Sequence, residues 1–155
     1  MLAACGYRAD VPTLPGGAPS LTLAPVRNET AQVGLDILLG QRLREGLMRR
    51  PAVRPPSGPE DGVELDIRLT RFTITRQELA QQGGLVRRVY DLRGQITVRD
   101  RRLLNTLIDG ETVAARIERH DRATAPETAA LVDQGIADVV DAFAQRVEQR
   151  LFRSF

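Results

Sequence analysis

The residues best suited to chemistry lie at the start of the chain, where Leu2-Ala3-Ala4-Cys5 has the pattern of a lipobox. In this pattern a branched apolar residue and two small residues fit a signal peptidase, and the sulfur of the following cysteine carries a diacylglycerol. Cys5 is the only cysteine, so the chain cannot form an intramolecular disulfide. The alternative is an ordinary cysteine near a chain end. We predict that Cys5 is lipidated and becomes the first residue of the mature protein.

The N-terminal segment is predicted to be a processed leader and a tether. A secretory signal requires a charged region and about 7–15 apolar residues before its cleavage site, so the lipobox interpretation requires signal residues upstream of this sequence in the precursor. Residues 6–19 contain three prolines and the pair Gly16-Gly17, without hydrophobic periodicity. We predict a lipobox remnant and flexible tether over residues 1–19, and a single domain over residues 20–155.

Other groups that could perform chemistry are isolated. His120 is the only histidine and precedes Asp121, but a catalytic triad also needs a nucleophile brought to that pair. Glu64 and Asp66 alternate with apolar residues, which is typical of the solvent-facing side of a strand. The sequence has no nucleophile-elbow motif, no metal-binding spacing of Cys or His, and no phosphate-binding glycine loop. We therefore predict that the protein is not an enzyme and uses no metal or cofactor.

The composition restricts the possible partners. The chain has 155 residues with 22 basic and 20 acidic side chains, and every basic residue is arginine. An all-arginine composition more readily indicates a GC-rich coding sequence than selection for guanidinium chemistry. No apolar run approaches the ~20 residues that span a bilayer, so membrane attachment is predicted only through Cys5. The absence of tryptophan and the few aromatic residues argue against a nucleic-acid-binding surface.

The first half of the domain is predicted to be a strand followed by a helix. Residues 20–25 alternate as a short edge strand that Pro25 limits. A helix over residues 31–49 follows, with Asn28 or Thr30 as its N-cap. Its apolar stripe recurs every four residues, at Leu35, Leu39, Leu43 and Leu47.

Three strands and a second helix are predicted for the second half. Residues 63–75 alternate, with a change of phase that predicts a bulge near Arg71. A polar loop over residues 77–84, containing Gly83-Gly84, leads to a strand over residues 85–99. A further strand over residues 104–118 is predicted to be continuous through a bulge at Asp109-Gly110, although Asp-Gly also favours a hairpin.

The last element is predicted to be a long amphipathic helix that ends near Phe152. Thr124 and Glu127 form a capping box at its start. Its apolar stripe consists of Ala129, Val132, Ile136, Val140, Phe143 and Val147. The order β-α-β-β-β-α then favours an α+β two-layer sandwich in which a four-stranded sheet carries both helices on one face.

Several short motifs resemble the LptE family, the lipopolysaccharide-assembly lipoproteins of Gram-negative outer membranes. The matching segments follow the family's order along the chain: Cys5-Gly6-Tyr7, Leu14-Pro15-Gly16-Gly17, Leu21 to Val26, Arg27-Asn28-Glu29-Thr30, Gly34-Leu35 and Leu43-Arg44-Glu45. The similarity is less sharp through the later strands. The arginine-rich segment 99–102 departs from the family, where a small turn with glycine is more usual.

This resemblance implies a structural and binding role. Members of the family plug the LptD β-barrel, help it assemble, and contact lipopolysaccharide during its insertion into the outer leaflet. It therefore implies an outer-membrane location, a lipid anchor on the periplasmic side, and an LptD-type β-barrel and lipopolysaccharide as partners. Two alternatives remain open: an auxiliary lipoprotein of a phospholipid transporter, and a lipid-anchored periplasmic hydrolase.

Arg99, Arg101 and Arg102, which we call the arginine tip, form the densest arginine group at one end of the predicted sheet. Guanidinium groups form bidentate, charge-assisted pairs with the oxygens of phosphates such as those of lipid A. Because a turn can converge three side chains on one anion, we predict that the arginine tip binds lipopolysaccharide. An acidic barrel wall is the alternative ligand. Arg87 and Arg88 are less suited, since neighbours on a strand point to opposite faces.

Overall fold

The fold is an α+β sandwich of one mixed sheet and two helices, as predicted. A computed structural model describes residues 13–51, 53–58, 60–79, 85–122 and 129–152. The elements in chain order are β1 (Leu21–Leu23), β2 (Arg27–Asn28), α1 (Leu35–Met48), β3 (Val63–Leu79), β4 (Leu85–Asp100), β5 (Asn105–Arg122) and α2 (Ala129–Leu151).

β1 lies within the predicted strand of residues 20–25, and the same edge continues beyond it in a second piece, β2, which gives five strands instead of four. The sheet order is β1-β3-β4-β5, and β2 pairs with β3 further along the same edge. Both β1 and β2 run parallel to β3, whereas β3, β4 and β5 form an antiparallel meander. Pro25 lies between the two pieces, and proline lacks the N–H needed to continue a ladder.

Both helices pack side by side on one face of the sheet. The predicted leucine stripe of α1 is buried, as is the middle of α2. Opposite them, the inward-facing residues of the central strands are fully buried: Val63, Leu65, Ile67 and Leu69 on β3, and Tyr90, Leu92, Ile96 and Val98 on β4. Alternation along the strands therefore forms one hydrophobic core between the sheet and the helices.

Both predicted bulges are confirmed, and the β4–β5 ladder has one further register shift, between Val98 and Arg99. The β3–β4 register shifts between Leu69 and Arg71, so Thr70 is the extra residue. In β5, Asp109-Gly110 lies within one continuous strand, and Gly110 has a φ of 59°. The second bulge changes which side chain faces inward. Ile108 is therefore buried, whereas Leu107 is only half-buried.

The start of α1 differs from its prediction. The helix begins at Leu35, after Gly34 with a φ of 86°, and its N-cap makes no side-chain hydrogen bond. The predicted caps stabilise the preceding turn instead: Asn28 Oδ1 accepts from Thr30 N at 3.0 Å, and Thr30 Oγ1 accepts from Gln32 N at 3.3 Å. Asn and Thr side chains often bond to backbone two residues away, which competes with helix formation.

The packed domain begins before the predicted boundary at residue 20. Leu14, Pro15 and Ala18 are buried, and Leu14 belongs to the hydrophobic core. A single 3₁₀ turn, Pro15–Gly17, reverses the chain and contains two glycines with positive φ. The prediction of a flexible tether is therefore wrong for residues 14–18. Packing of Leu14 in the core removes its apolar side chain from water, and this burial stabilises the packed arrangement.

Three sequence predictions fall outside the described residues: the lipobox with Cys5, the pair Gly83-Gly84, and the capping box of Thr124 and Glu127. Two strands are longer than predicted, since β3 continues to Leu79 and β5 to Arg122. Cross-strand pairing continues in these segments although their side chains are polar, because the ladder uses backbone groups only.

Candidate functional site

The face of the sheet opposite the helices is polar, and we call it the open face. Its side chains alternate with the core residues and belong mainly to charged types: Glu64, Asp66, Arg68, Asp91, Arg93, Arg99, Arg116 and Glu118. The prediction that Glu64 and Asp66 lie on a solvent-facing side is confirmed. The open face therefore presents a charged surface that could meet a polar partner.

Ion pairs within strands and between neighbouring strands neutralise most charges of the open face. Arg87 donates to Glu118 through two nitrogens, at 3.0 and 2.6 Å, and this pairing holds the pKa of Glu118 below its usual range. Arg93 lies 3.0 Å from Asp91. Cross-strand pairing of opposite charges also favours the observed register.

Arg71 differs from these paired arginines. It lies on the open face beside Thr73, Thr75 and Gln77, and these side chains line a shallow groove of about 220 Å³. Within the described residues its guanidinium group has neither a hydrogen bond nor an ion pair. Arg71 is therefore a cation that an anionic partner could bind without displacing a carboxylate.

The arginine tip lies at the β4–β5 turn, and its three guanidinium groups contact three different carboxylates. Arg99 is the most exposed, and its Nη1 is 4.0 Å from Asp66 Oδ2. That carboxylate has a closer partner in Arg27, at 2.8 Å. Arg101 donates to Glu64, with 2.7 Å between Nε and Oε2.

Arg102 has a structural role in the tip. Its Nη2 donates to Asp100 Oδ2 at 2.7 Å, and Asp100 also accepts from the backbone N–H groups of Arg102 and Leu103. Hydrogen bonding from Arg102 holds the pKa of the Asp100 carboxyl below its usual range. Because Asp100 is buried, its negative charge depends on the guanidinium group of Arg102 for stabilisation.

The fold does not bring the candidate catalytic side chains together. His120 is exposed on β5 opposite Arg87, whereas Asp121 is bonded to Arg88 on the other face of the strand. Glu64 and Asp66 are each paired with arginine. Among the described residues, no group of three or more His, Cys, Asp or Glu side chains could hold a metal ion. No helix in the described ranges is both long and apolar enough to cross a bilayer.

A second surface was missed by the sequence interpretation. A groove of about 400 Å³ lies between β1, the C-terminal end of α1, and the loop after α1. Its floor includes Leu21 and Leu47, and Met48 stands at its rim with 83% of its area exposed. Met48 lies next to the leucine stripe of α1 without belonging to it. An apolar residue outside the buried stripe is the signal that could have indicated this surface.

Comparisons with known proteins identify the fold and no family. A scan against models of protein families gives no match, and a search of curated proteins gives no similar sequence. Solved structures are similar in fold. Lipoprotein B from Nitrosomonas europaea superposes with a TM-score of 0.52 at 15% identity, covering 94% of this chain and 88% of that protein.

Two further solved structures are similar to this chain. The hypothetical protein CT253 from Chlamydia trachomatis has a TM-score of 0.51 at 11% identity, covering 88% of this chain and 92% of that one. A minor lipoprotein from Acinetobacter baumannii has a TM-score of 0.46 at 20% identity, covering 84% and 92% respectively. The two structures with TM-scores above 0.5 support the two-layer fold, and at identities of 15% and 11% they support the fold alone.

Proposed function

We propose that this protein is a non-catalytic outer-membrane lipoprotein that plugs an LptD-type β-barrel and contacts lipopolysaccharide. The observation that carries the proposal is its two-layer fold, shared over most of both chains with lipoprotein B from Nitrosomonas europaea. The lipobox that ends at Cys5 adds an independent sequence argument for a lipid anchor. In this proposal the anchor holds the domain on the periplasmic side of the outer membrane.

The surface of the domain suits the lumen of a barrel. A plug needs its own hydrophobic core and a polar exterior, because barrel interiors are commonly lined by polar side chains. Here the core is enclosed between the helices and one face of the sheet, and the open face carries arginines and carboxylates. Such a face can exchange its internal ion pairs for pairs with a polar wall.

The protein isolated from membranes tests this proposal. We expect the native protein, extracted in mild detergent, to elute together with a large β-barrel protein. The intact mass of the same sample should show acylated Cys5 as the first residue. A protein that elutes alone with an unmodified thiol would contradict the proposal. Co-elution with transporter subunits would favour the alternative of a transporter auxiliary lipoprotein.

Lipopolysaccharide binding by the arginine tip is the finer part of the proposal, and Arg99 is its sharpest probe. Replacing Arg102 would leave the buried carboxylate of Asp100 without its only cationic partner among the described residues, which destabilises the turn irrespective of any ligand. Arg99 has only a 4.0 Å contact, and its neighbour Asp66 retains Arg27. The Arg99→Gln variant should therefore fold normally.

We expect Arg99→Gln to weaken lipopolysaccharide binding about fivefold, which is roughly 1 kcal/mol for one charge-assisted contact. Titration at low and high salt should show that the difference shrinks as exposed charges are screened. Arg49→Gln is the matched control, because Arg49 is an exposed arginine at the C-cap of α1 and does not belong to the tip. Equal losses in both variants, or none, would show that the tip is not the site.

A further inference from the structure

The groove beside β1 has features that the barrel-plug proposal does not use. Its volume is about 400 Å³, compared with about 220 Å³ for each of four other grooves on the described surface. Its volume lies in the range of about 300–1,000 Å³ that is common for small-molecule sites. Its lining is mainly aliphatic, which suits a flexible hydrocarbon chain.

The hydrocarbon surface comes from three elements. Leu21 and Leu23 lie on β1, Leu47 and Met48 on α1, and Val53 on the following loop. Leu21 and Leu47 are nearly fully buried, whereas Met48 is exposed. The solvent exposure of the lining therefore increases from the apolar floor to the rim. An exposed methionine at such a rim adapts readily to ligands of irregular shape.

Two arginines line the same groove from different walls. Arg44 lies one turn before Met48 on α1. Arg54 lies on the loop after α1, where its backbone forms an isolated parallel β-bridge with Ser20, next to β1. Neither guanidinium group has a hydrogen bond or an ion pair among the described residues. None of the described residues that line the groove is acidic. This distinguishes the groove from the open face, where most arginines are already paired.

We propose that this groove binds one acyl chain of an anionic lipid, with the lipid phosphate between Arg44 and Arg54. An aliphatic chain matches the lining, and a negatively charged headgroup supplies the anionic partner that both arginines lack among the described residues. Guanidinium groups bind phosphate oxygens in bidentate geometry, which fixes the headgroup at the rim while the chain enters. The proposal goes beyond the barrel-plug function. It concerns the groove at the edge of the sheet beside β1 and does not involve the open face.

Titration of the protein with lauroyl lysophosphatidylglycerol, kept below its critical micelle concentration, tests the proposal. We expect saturable binding that weakens at least tenfold in the double variant Arg44→Gln/Arg54→Gln. Met48→Glu, which places a like charge at the rim on an exposed position, should also weaken binding. Dodecyltrimethylammonium, which has the same chain length and a cationic headgroup, should bind at least tenfold more weakly than the lysolipid.

Two controls separate this site from the arginine tip. Arg49→Gln removes another exposed arginine, at the C-cap of α1, that lines a different groove, and Arg99→Gln alters the tip. Both variants should bind the lysolipid with unchanged affinity. The proposal is overturned if the wild-type protein shows no saturable binding, if the cationic amphiphile binds equally well, or if the double variant retains its affinity. Loss of lipopolysaccharide binding in Arg99→Gln with lysolipid binding intact would support both sites independently.

Discussion

Replacing Phe143 by alanine is expected to lower the free energy of unfolding by about 3–5 kcal/mol, which is typical for truncating a fully buried phenylalanine. Phe143 has no solvent exposure and lies mid-way along the buried stripe of α2. Its ring lies over Gly94 of β4, where a β-carbon would lie 3.0 Å from Cζ. The absence of a side chain at Gly94 therefore lets the ring reach the sheet, and the truncated variant would leave a cavity there.

Urea titration of Phe143→Ala measures this loss, and Phe72→Ala is its matched control. Phe72 lies on the same side of the sheet but is only half-buried, beyond the bulge in β3. Its truncation should cost less, because the hydrophobic contribution scales with the apolar area removed from water. A loss near zero for Phe143 would mean that α2 does not pack on this sheet in solution, and would favour a partner-binding helix instead.

The elements of this fold could be predicted where a single periodic pattern controlled them. The leucines of α1 recur every four residues and the apolar residues of β3 every two, so each pattern specifies which face is buried. The phase change near Arg71 predicted the bulge at Thr70 for the same reason. Local patterns of this kind require no knowledge of distant parts of the chain.

The partners of individual side chains could not be predicted in the same way. Arg101 and Glu64 are 37 residues apart in sequence, and their pairing depends on the β3–β4 register. Three closely spaced arginines therefore form one cluster in the sequence, whereas the fold places each of them near a different carboxylate. An anion at the tip must compete with these pairs, except near Arg99.

The groove beside β1 could not be predicted because three separated segments form it. Leu21, Leu47 and Val53 each appear in the sequence as ordinary apolar residues. Their convergence depends on β1 joining the edge of β3, which a strand of three residues hardly specifies. The burial of Leu14 was missed for a similar reason, since prolines and glycines around it indicated a tether.

Replacing Gly135 by alanine is expected to destabilise the protein by about 1–3 kcal/mol, although alanine is the better helix former. In an open helix position this change stabilises by about 1 kcal/mol. Here a β-carbon would lie 2.5 Å from Cε2 of Tyr90 and closer still to Cζ. Tyr90 is fully buried on β4, so its ring cannot move away without disturbing the core. The steric cost should therefore outweigh the gain in helix propensity.

The contact between Gly135 and Tyr90 can be isolated with a double-mutant cycle measured by urea titration. In the Tyr90→Leu background the aromatic ring is absent, so Gly135→Ala should become neutral or stabilising. Gly40→Ala is the matched control, since this α1 glycine has its nearest neighbour at 3.8 Å and only ordinary contacts. It should stabilise by about 0.5–1 kcal/mol. If Gly135→Ala and Gly40→Ala stabilise equally, the close approach of α2 to β4 is wrong, and the helix lies further from the sheet than described.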